Sequence, residues 1–204
     1  MKLALGITTT LERADVFHDC LSNWEKYLPE NTKIHIHVDI ELKGICYSKN
    51  KVLSMCDYAD NIVIVDDDIF PIVNDWHLPY VNSGLNHACW NFDRNVIDSS
   101  NKKYDVLETP NGCFLYFTKK AIEVCGGWDQ SFAGYSYDHV NLTDRVFNNG
   151  LIPARYIDVK NTKHLFQIAN CESSVPYHIR AKYIPINQAL YKEKYYSKEF
   201  IPYK

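Results

Sequence analysis

The chain has 204 residues, 46% hydrophobic and 23% charged, with a net charge of −3 and a mean hydropathy of −0.31. That length fits one domain able to bury about 70% of the surface its unfolded form exposes. No apolar run approaches the roughly 18 residues that span a bilayer, and Met1 to Gly6 is too short for a signal peptide, so a cytoplasmic protein without a transmembrane segment is expected. The seven cysteines are odd in number, widely spaced and free of any Cys-x-x-Cys pair. This excludes a disulfide framework and a zinc knuckle, and leaves reduced core thiols.

Residues 3 to 9 read as a first buried strand, with Thr8, Thr9 and Thr10 supplying a polar turn at its end. From Ala14 to Leu28, Phe17, Leu21, Trp24 and Leu28 recur at helical spacing, and Pro29 closes the helix. Ile34, Ile36 and Val38 alternate with His35 and His37 in a second strand that ends at Asp39. A short amphipathic helix spans 48 to 56. Ile62-Val63-Ile64-Val65 then forms a continuous β-branched run that stops at three carboxylates, Asp66, Asp67 and Asp68. Such a run is a buried strand, and adjacent charges cannot follow it into a core without partners. The β-α-β-α-β order points to a doubly wound sheet, whose ligands bind at the carboxyl edge of the strands. Alternate carboxylates there can hold a divalent cation; a polar turn with a helix N-cap is the competing reading.

After Pro71 the pattern is irregular until a strand over 112 to 117. Thr118 then caps a helix through Val124, which Gly126-Gly127 ends. Asp138 to Phe147 is helical, and 152 to 159 reads as a strand with Pro153 at its start or on an edge. Charge is unevenly spread. Residues 1 to 159 carry 14 Lys and Arg against 22 Asp and Glu, whereas residues 160 to 204 carry 8 against 3. The basic tail also holds Tyr177, Tyr183, Tyr191, Tyr195, Tyr196 and Tyr203. This mixture suits an anionic partner such as nucleic acid or a lipid headgroup, and equally a Tyr-rich segment packed on the domain with a solvated lysine face.

Several motifs occur in an order that carries a resemblance. Ser48-Lys49-Asn50-Lys51 precedes Val63-Ile64-Val65-Asp66-Asp67-Asp68; then come Asn111-Gly112-Cys113-Phe114, Cys125-Gly126-Gly127-Trp128-Asp129, and Gly134-Tyr135-Ser136-Tyr137-Asp138-His139. Over residues 3 to 164 this series resembles the family-2 type of GT-A glycosyltransferase. The resemblance implies a Rossmann-like α/β domain over 1 to 164, with a mostly parallel central sheet flanked by helices, and 165 to 204 as a C-terminal segment packed on it or extending it. It implies transfer of a sugar from a nucleotide-diphosphate donor, a UDP-sugar first, with Mn2+ or Mg2+ as cofactor.

By the same resemblance Asp66 and Asp68 stand in for the Asp-x-Asp pair, with Asp68 as the direct metal ligand, Asp66 facing ribose or metal and Asp67 beside the donor. His164 falls where relatives often place a third ligand. Thr8, Asp39 and the Lys49-Asn50 pair are similar in position to nucleotide-binding residues, Gly112 to the small-residue loop, and Asp129 to an Asp of the donor or acceptor pocket. Thr8, Asp39, Lys49 and Asn50 could equally be routine strand-end polar groups. Trp128, Tyr135 and Tyr137 could stack on a sugar or simply pack. An inverting transfer needs a general base. Here Asp138 takes the place of the family's Glu and His139 that of its usual base, so either could serve, with Asp138 favoured.

Three acceptor or function classes stay open. The acceptor is a glycan or lipid-linked saccharide, or a hydroxymethylated base in DNA reached through the basic tail; otherwise the chain is a nucleotide-sugar or glycan-binding module without turnover. A nucleotidyltransferase would want a glycine-rich phosphate loop, which residues 5 to 13 lack.

Overall fold

The computed structural model describes residues 2–92, 95–134, 136–169 and 177–204, without the side chains of residues 177 and 179. In chain order its elements are β1 (Leu3–Thr9), α1 (Ala14–Lys26), β2 (Lys33–Val38), α2 (Ile45–Cys56), β3 (Asn61–Asp66), β4 (Ile69–Pro71), α3 (Leu78–Asn82), β5 (His87–Cys89), β6 (Val96–Asp98), β7 (Tyr104–Leu107), β8 (Phe114–Thr118), α4 (Lys119–Cys125), α5 (Asp138–Asn148), β9 (Ile157–Val159), β10 (Phe166–Ile168) and α6 (Tyr177–Lys194). The central sheet has the order β2-β1-β3-β8-β5, with β1 parallel to β2 and β3, and β8 antiparallel to both of its neighbours. This is a mixed, mostly parallel α/β domain.

Strands β1 and β3 are buried along nearly their whole length, which is what their unbroken apolar runs require. Their register pairs Gly6 with Ile64 and Thr8 with Asp66. A Cβ on Gly6 would lie 2.7 Å from Ile64 and 2.9 Å from Val52, so glycine here lets α2 close onto the sheet. On the other side, the Trp24 indole of α1 donates to the Ile69 carbonyl at 2.7 Å and meets Trp76 edge-on at 5.1 Å. Phe166 of β10 joins this aromatic layer against Phe114 and Trp90.

The irregular stretch after Pro71 contains α3 and β5 to β7. Strands β6, β7 and β9 form a small antiparallel sheet of their own, and β4 pairs with β10. Expected strand 152 to 159 shortens to Ile157–Val159, because Pro153 has no N–H to give a ladder and Arg155 turns instead to Asp144 at 2.9 Å. Thr118 caps α4 through its hydroxyl, accepting from Ala121 N. Six of the cysteines, Cys20, Cys46, Cys56, Cys89, Cys113 and Cys125, are buried thiols; Cys171 lies outside the described residues. No helix among those residues is long and apolar enough to cross a membrane.

Behind the small sheet, Asp158 is a buried carboxylate that accepts from Asn91 N (2.9 Å), Val159 N (2.8 Å), the Thr162 hydroxyl (2.8 Å) and the Tyr80 hydroxyl (3.3 Å). It ties β9 to the segment after β5 and to α3. Truncating it strands four buried donors, so Asp158→Ala should destabilise the fold by about 3 kcal/mol in a urea titration.

The C-terminal residues run back over the domain. Ile201 bridges to Gly126, whose φ of +71° and contact with the Ile201 carbonyl leave no room for a side chain. The Tyr203 hydroxyl donates to Asp57 at 2.8 Å, and Lys204 pairs with the same carboxylate. Helix α6 went unseen in the sequence because tyrosines, lysines and the internal Pro185 obscure any apolar period.

Candidate active site

The ends of β1 and β3 meet at the point where chain order reverses, with β2 on one side and β3 on the other, the position at which open α/β sheets bind ligands. Strand β3 ends at Asp66, and Asp67 and Asp68 form the tight turn into β4, so the three carboxylates point different ways. Asp67 turns inward. It accepts from the Thr9 hydroxyl at 2.6 Å and from Arg13 Nε at 2.7 and 2.9 Å, so both of its oxygens are taken. Asp66 and Asp68 keep exposed surface, 34% and 18% of their side chains against 6% for Asp67. Arg13 Nη2 also reaches Asp68 at 2.9 Å. Burial, and then the neighbouring charges of Asp66 and Asp67, push the Asp68 carboxyl up to about 6 against the opposing pull of Arg13.

On the α2 face of the sheet, Lys49 is almost fully buried. Its ammonium lies 3.1 Å from Asp66 and donates to the Gly112 carbonyl at 3.0 Å. Burial opposes its charge, but Asp66 and Asp138 outweigh that and raise its pKa above the usual lysine value. Thr8 lies level with Asp66 in the sheet register, and its buried hydroxyl has no hydrogen-bond partner among the described residues.

Asp138 opens α5, after Ser136 and Tyr137 both take left-handed φ (81° and 65°). Two such non-glycine residues in succession store strain, and strain of this kind gathers at functional sites. Burial disfavours the charged Asp138, yet the His139 contact and the Lys49 charge prevail and hold it below the usual carboxylate range. His139 Nδ1 stands 3.6 Å from Asp138 and lies over Gly112, where a Cβ would come within 2.8 Å of it. Lys49 thus joins two groups of side chains: Asp66, level with Thr8, at the sheet edge, and Gly112, over which His139 lies beside Asp138.

Other expected residues serve the scaffold. Asp39 spends its oxygens on the Lys43 and Gly44 amides at 2.9 and 2.8 Å, closing the turn into α2. Asn50 holds the Trp128 backbone with its amide, donating to the carbonyl at 2.8 Å and accepting from the N–H at 2.7 Å. Asp129 binds Ser131 and, at 2.5 Å, Lys194 of α6. Trp128 is fully buried against Phe117 and has no face for a sugar. Tyr137 is stacked on Tyr191 at 5.0 Å; Tyr135 lies outside the described residues.

His164 is not brought to the carboxylates. It is exposed on a 3-10 turn beside Leu165, which pairs with Ile72, whereas Ala169 at the other end of β10 bonds to Asp68. The extended run from Leu165 to Ala169 is about 13 Å long.

Sequence reasoning missed Arg13, though it is the one cation in the turn that follows β1. It also missed the grip of α6 on the loop before Asp138. Asn187 donates to the Ala133 and Ser136 carbonyls at 2.8 and 3.1 Å, the Tyr183 ring packs against Gly134, and the Tyr191 hydroxyl donates to Asp144 at 2.7 Å.

Among the described residues no three His, Cys, Asp or Glu side chains are grouped as a metal cage. A pair of open carboxylates instead suits a hard divalent cation that takes its other ligands from phosphate and water.

The fold is that of the GT-A glycosyltransferases. Three solved structures share it: a mannosyltransferase from Pyrobaculum calidifontis in complex with GDP-Man and Mn2+ (TM-score 0.61, 12% identity, over 93% of this chain and 64% of that one); a Drosophila galactosyltransferase variant in complex with manganese, UDP-Gal and xylobiose (0.56, 11%, 89% and 80%); and a glycosyltransferase involved in glycosylating the major capsid of PBCV-1 (0.53, 12%, 91% and 99%). The chain spans just under two thirds of the mannosyltransferase. No protein-family profile and no curated sequence matches the chain.

Proposed function

We propose that this chain is a metal-dependent glycosyltransferase that moves a sugar from a nucleoside-diphosphate donor, a UDP-sugar first, to a hydroxyl of a glycan or lipid-linked saccharide, with inversion. The observation that supports the reading is that two carboxylates with exposed surface, Asp66 and Asp68, stand at the sheet switch point, and that the buried Lys49 ammonium beside Asp66 also feels the charge of the ionised Asp138. The GT-A neighbours supply the fold context.

In this reading Asp66 and Asp68 hold Mn2+ or Mg2+. When bound, the cation neutralises charge developing on the departing diphosphate. Lys49 holds Asp66 in place and adds positive charge on the donor side. The unpartnered Thr8 hydroxyl is available to the nucleotide. Asp138 takes the proton of the attacking acceptor hydroxyl, and its depressed pKa keeps it ionised and ready at neutral pH. His139 lies beside Asp138, orienting it and sharing its charge; Gly112 leaves the room this requires. Asp39, Asn50 and Asp129 act indirectly, by fixing the turns that shape the cleft. His164 has no part in the site.

The basic tail gives less support to a DNA acceptor than its composition implies, since Lys194 and Lys204 are paired and Tyr183, Tyr191 and Tyr203 are turned into the domain. The direct test offers UDP- and GDP-sugars to the protein with Mn2+ and follows nucleoside diphosphate release, with and without saccharide acceptors. Release from one donor that stops on chelation is expected. Release from none would leave a binding module.

A further inference from the structure

Arg13 already holds one oxygen of Asp68, its Nη2 lying 2.9 Å from Oδ2. Its guanidinium is fixed there from two directions. Nε binds both oxygens of Asp67, which the Thr9 hydroxyl pins in turn, and Arg13 closes the 3-10 turn Leu11–Arg13, its N–H donating to the Thr10 carbonyl at 3.2 Å. With Nε and Nη2 both engaged by Asp67, the side chain is 13% exposed, and Nη2 is delivered to Asp68 at 2.9 Å. Asp66 has a counter-cation of its own in Lys49. Three adjacent carboxylates thus meet two resident cations, and Arg13 is the one shared between an inward carboxylate and an open one.

We propose that Arg13 is a built-in competitor for the metal at Asp68, one that keeps the site's affinity for a free divalent cation low until a nucleoside diphosphate brings further ligands. The inference rests on the functional reading above. The chemistry is an exchange of partners. A cation that takes Asp68 Oδ2 displaces a charge-assisted hydrogen bond, while Arg13 keeps its two bonds to Asp67 and so stays within reach to return. Without the guanidinium that cost disappears and the local charge becomes one unit more negative. Loss of one partly buried, charge-assisted hydrogen bond corresponds to about tenfold in affinity or more.

The test is a Mn2+ titration followed by electron paramagnetic resonance, on the full chain without nucleotide and then with saturating UDP or GDP. In Arg13→Gln, Mn2+ alone should bind about tenfold tighter than in the unmodified protein, and the further gain on adding nucleotide should shrink. Arg13→Lys keeps the charge but loses the fork to both carboxylates, and should fall between the two; it also serves if the Gln variant fails to fold. Mn2+ affinity that is unchanged or weaker in both variants, in a protein that binds Mn2+ with nucleotide, overturns the role of Arg13 and leaves the functional reading intact. Mn2+ binding absent from every form, with or without either nucleotide, overturns both.

Discussion

Replacing Asp138 with Asn is expected to lower the turnover of sugar transfer by about a thousandfold while leaving Mn2+-dependent nucleotide affinity nearly unchanged. The expectation follows from where the carboxylate sits. It is the first residue of α5, near the positive end of the helix dipole, and it follows the left-handed pair Ser136-Tyr137. Lys49 and His139 keep it ionised against the cost of burial. Asn preserves the shape but cannot take a proton. A purely helix-capping Asp138 would instead give a variant with lower stability and normal turnover per folded molecule, so kcat measured beside the melting temperature separates the two. His139→Ala is the informative companion. If His139 were the base, its loss would match that of Asp138→Asn; as an orienting neighbour, its loss is smaller.

The second large effect is expected at Asp68. Asp68→Ala should abolish the Mn2+ dependence of donor turnover and reduce kcat/KM by about a thousandfold or more, because neutralising a departing diphosphate is worth several kcal/mol. Asp67→Ala should behave differently. Its oxygens belong to Thr9 and Arg13, so its loss leaves Arg13 held by Asp68 alone and the Thr9 hydroxyl with only the long bond to the Thr10 carbonyl. The expected result is a lower melting temperature, with the metal dependence retained. Adjacent carboxylates of the same type thus carry opposite signatures, and a side-by-side comparison reads directly how the turn after β3 divides them.

The parts of the fold and site that were legible in the sequence are those set by local pattern. The β-branched run Ile62 to Val65 could only be a buried strand, and the charges after it could only lie at its end. Thr8, Asp66, Lys49, Gly112, Asp138 and His139 converge because strand ends and loop starts share one edge of such a sheet. What was not legible depends on partners far away in sequence. Nothing near Asp39 distinguishes an Asp that meets a base from one that closes its own turn onto Lys43 and Gly44, and Asn50 is spent on a backbone 78 residues away. His164 looked well placed by order along the chain, yet the antiparallel pairing of β4 and β10 sets it at the wrong end of the ladder. Composition leaves the C-terminal tyrosines open between a binding surface and a segment packed on the domain, and α6 packs Tyr183 and Tyr191 toward Gly134, Tyr137 and Asp144.

Thermal unfolding with UDP, GDP and Mn2+, alone and in combination, tests the central claim most directly. The account predicts that one nucleoside diphosphate together with Mn2+ raises the melting temperature well beyond either ligand alone, by the equivalent of about 2.7 kcal/mol at a hundred times the dissociation constant. It also predicts that Asp68→Ala loses this shift while Asp138→Asn keeps it. No stabilisation by any combination, or an undiminished shift in Asp68→Ala, would contradict it.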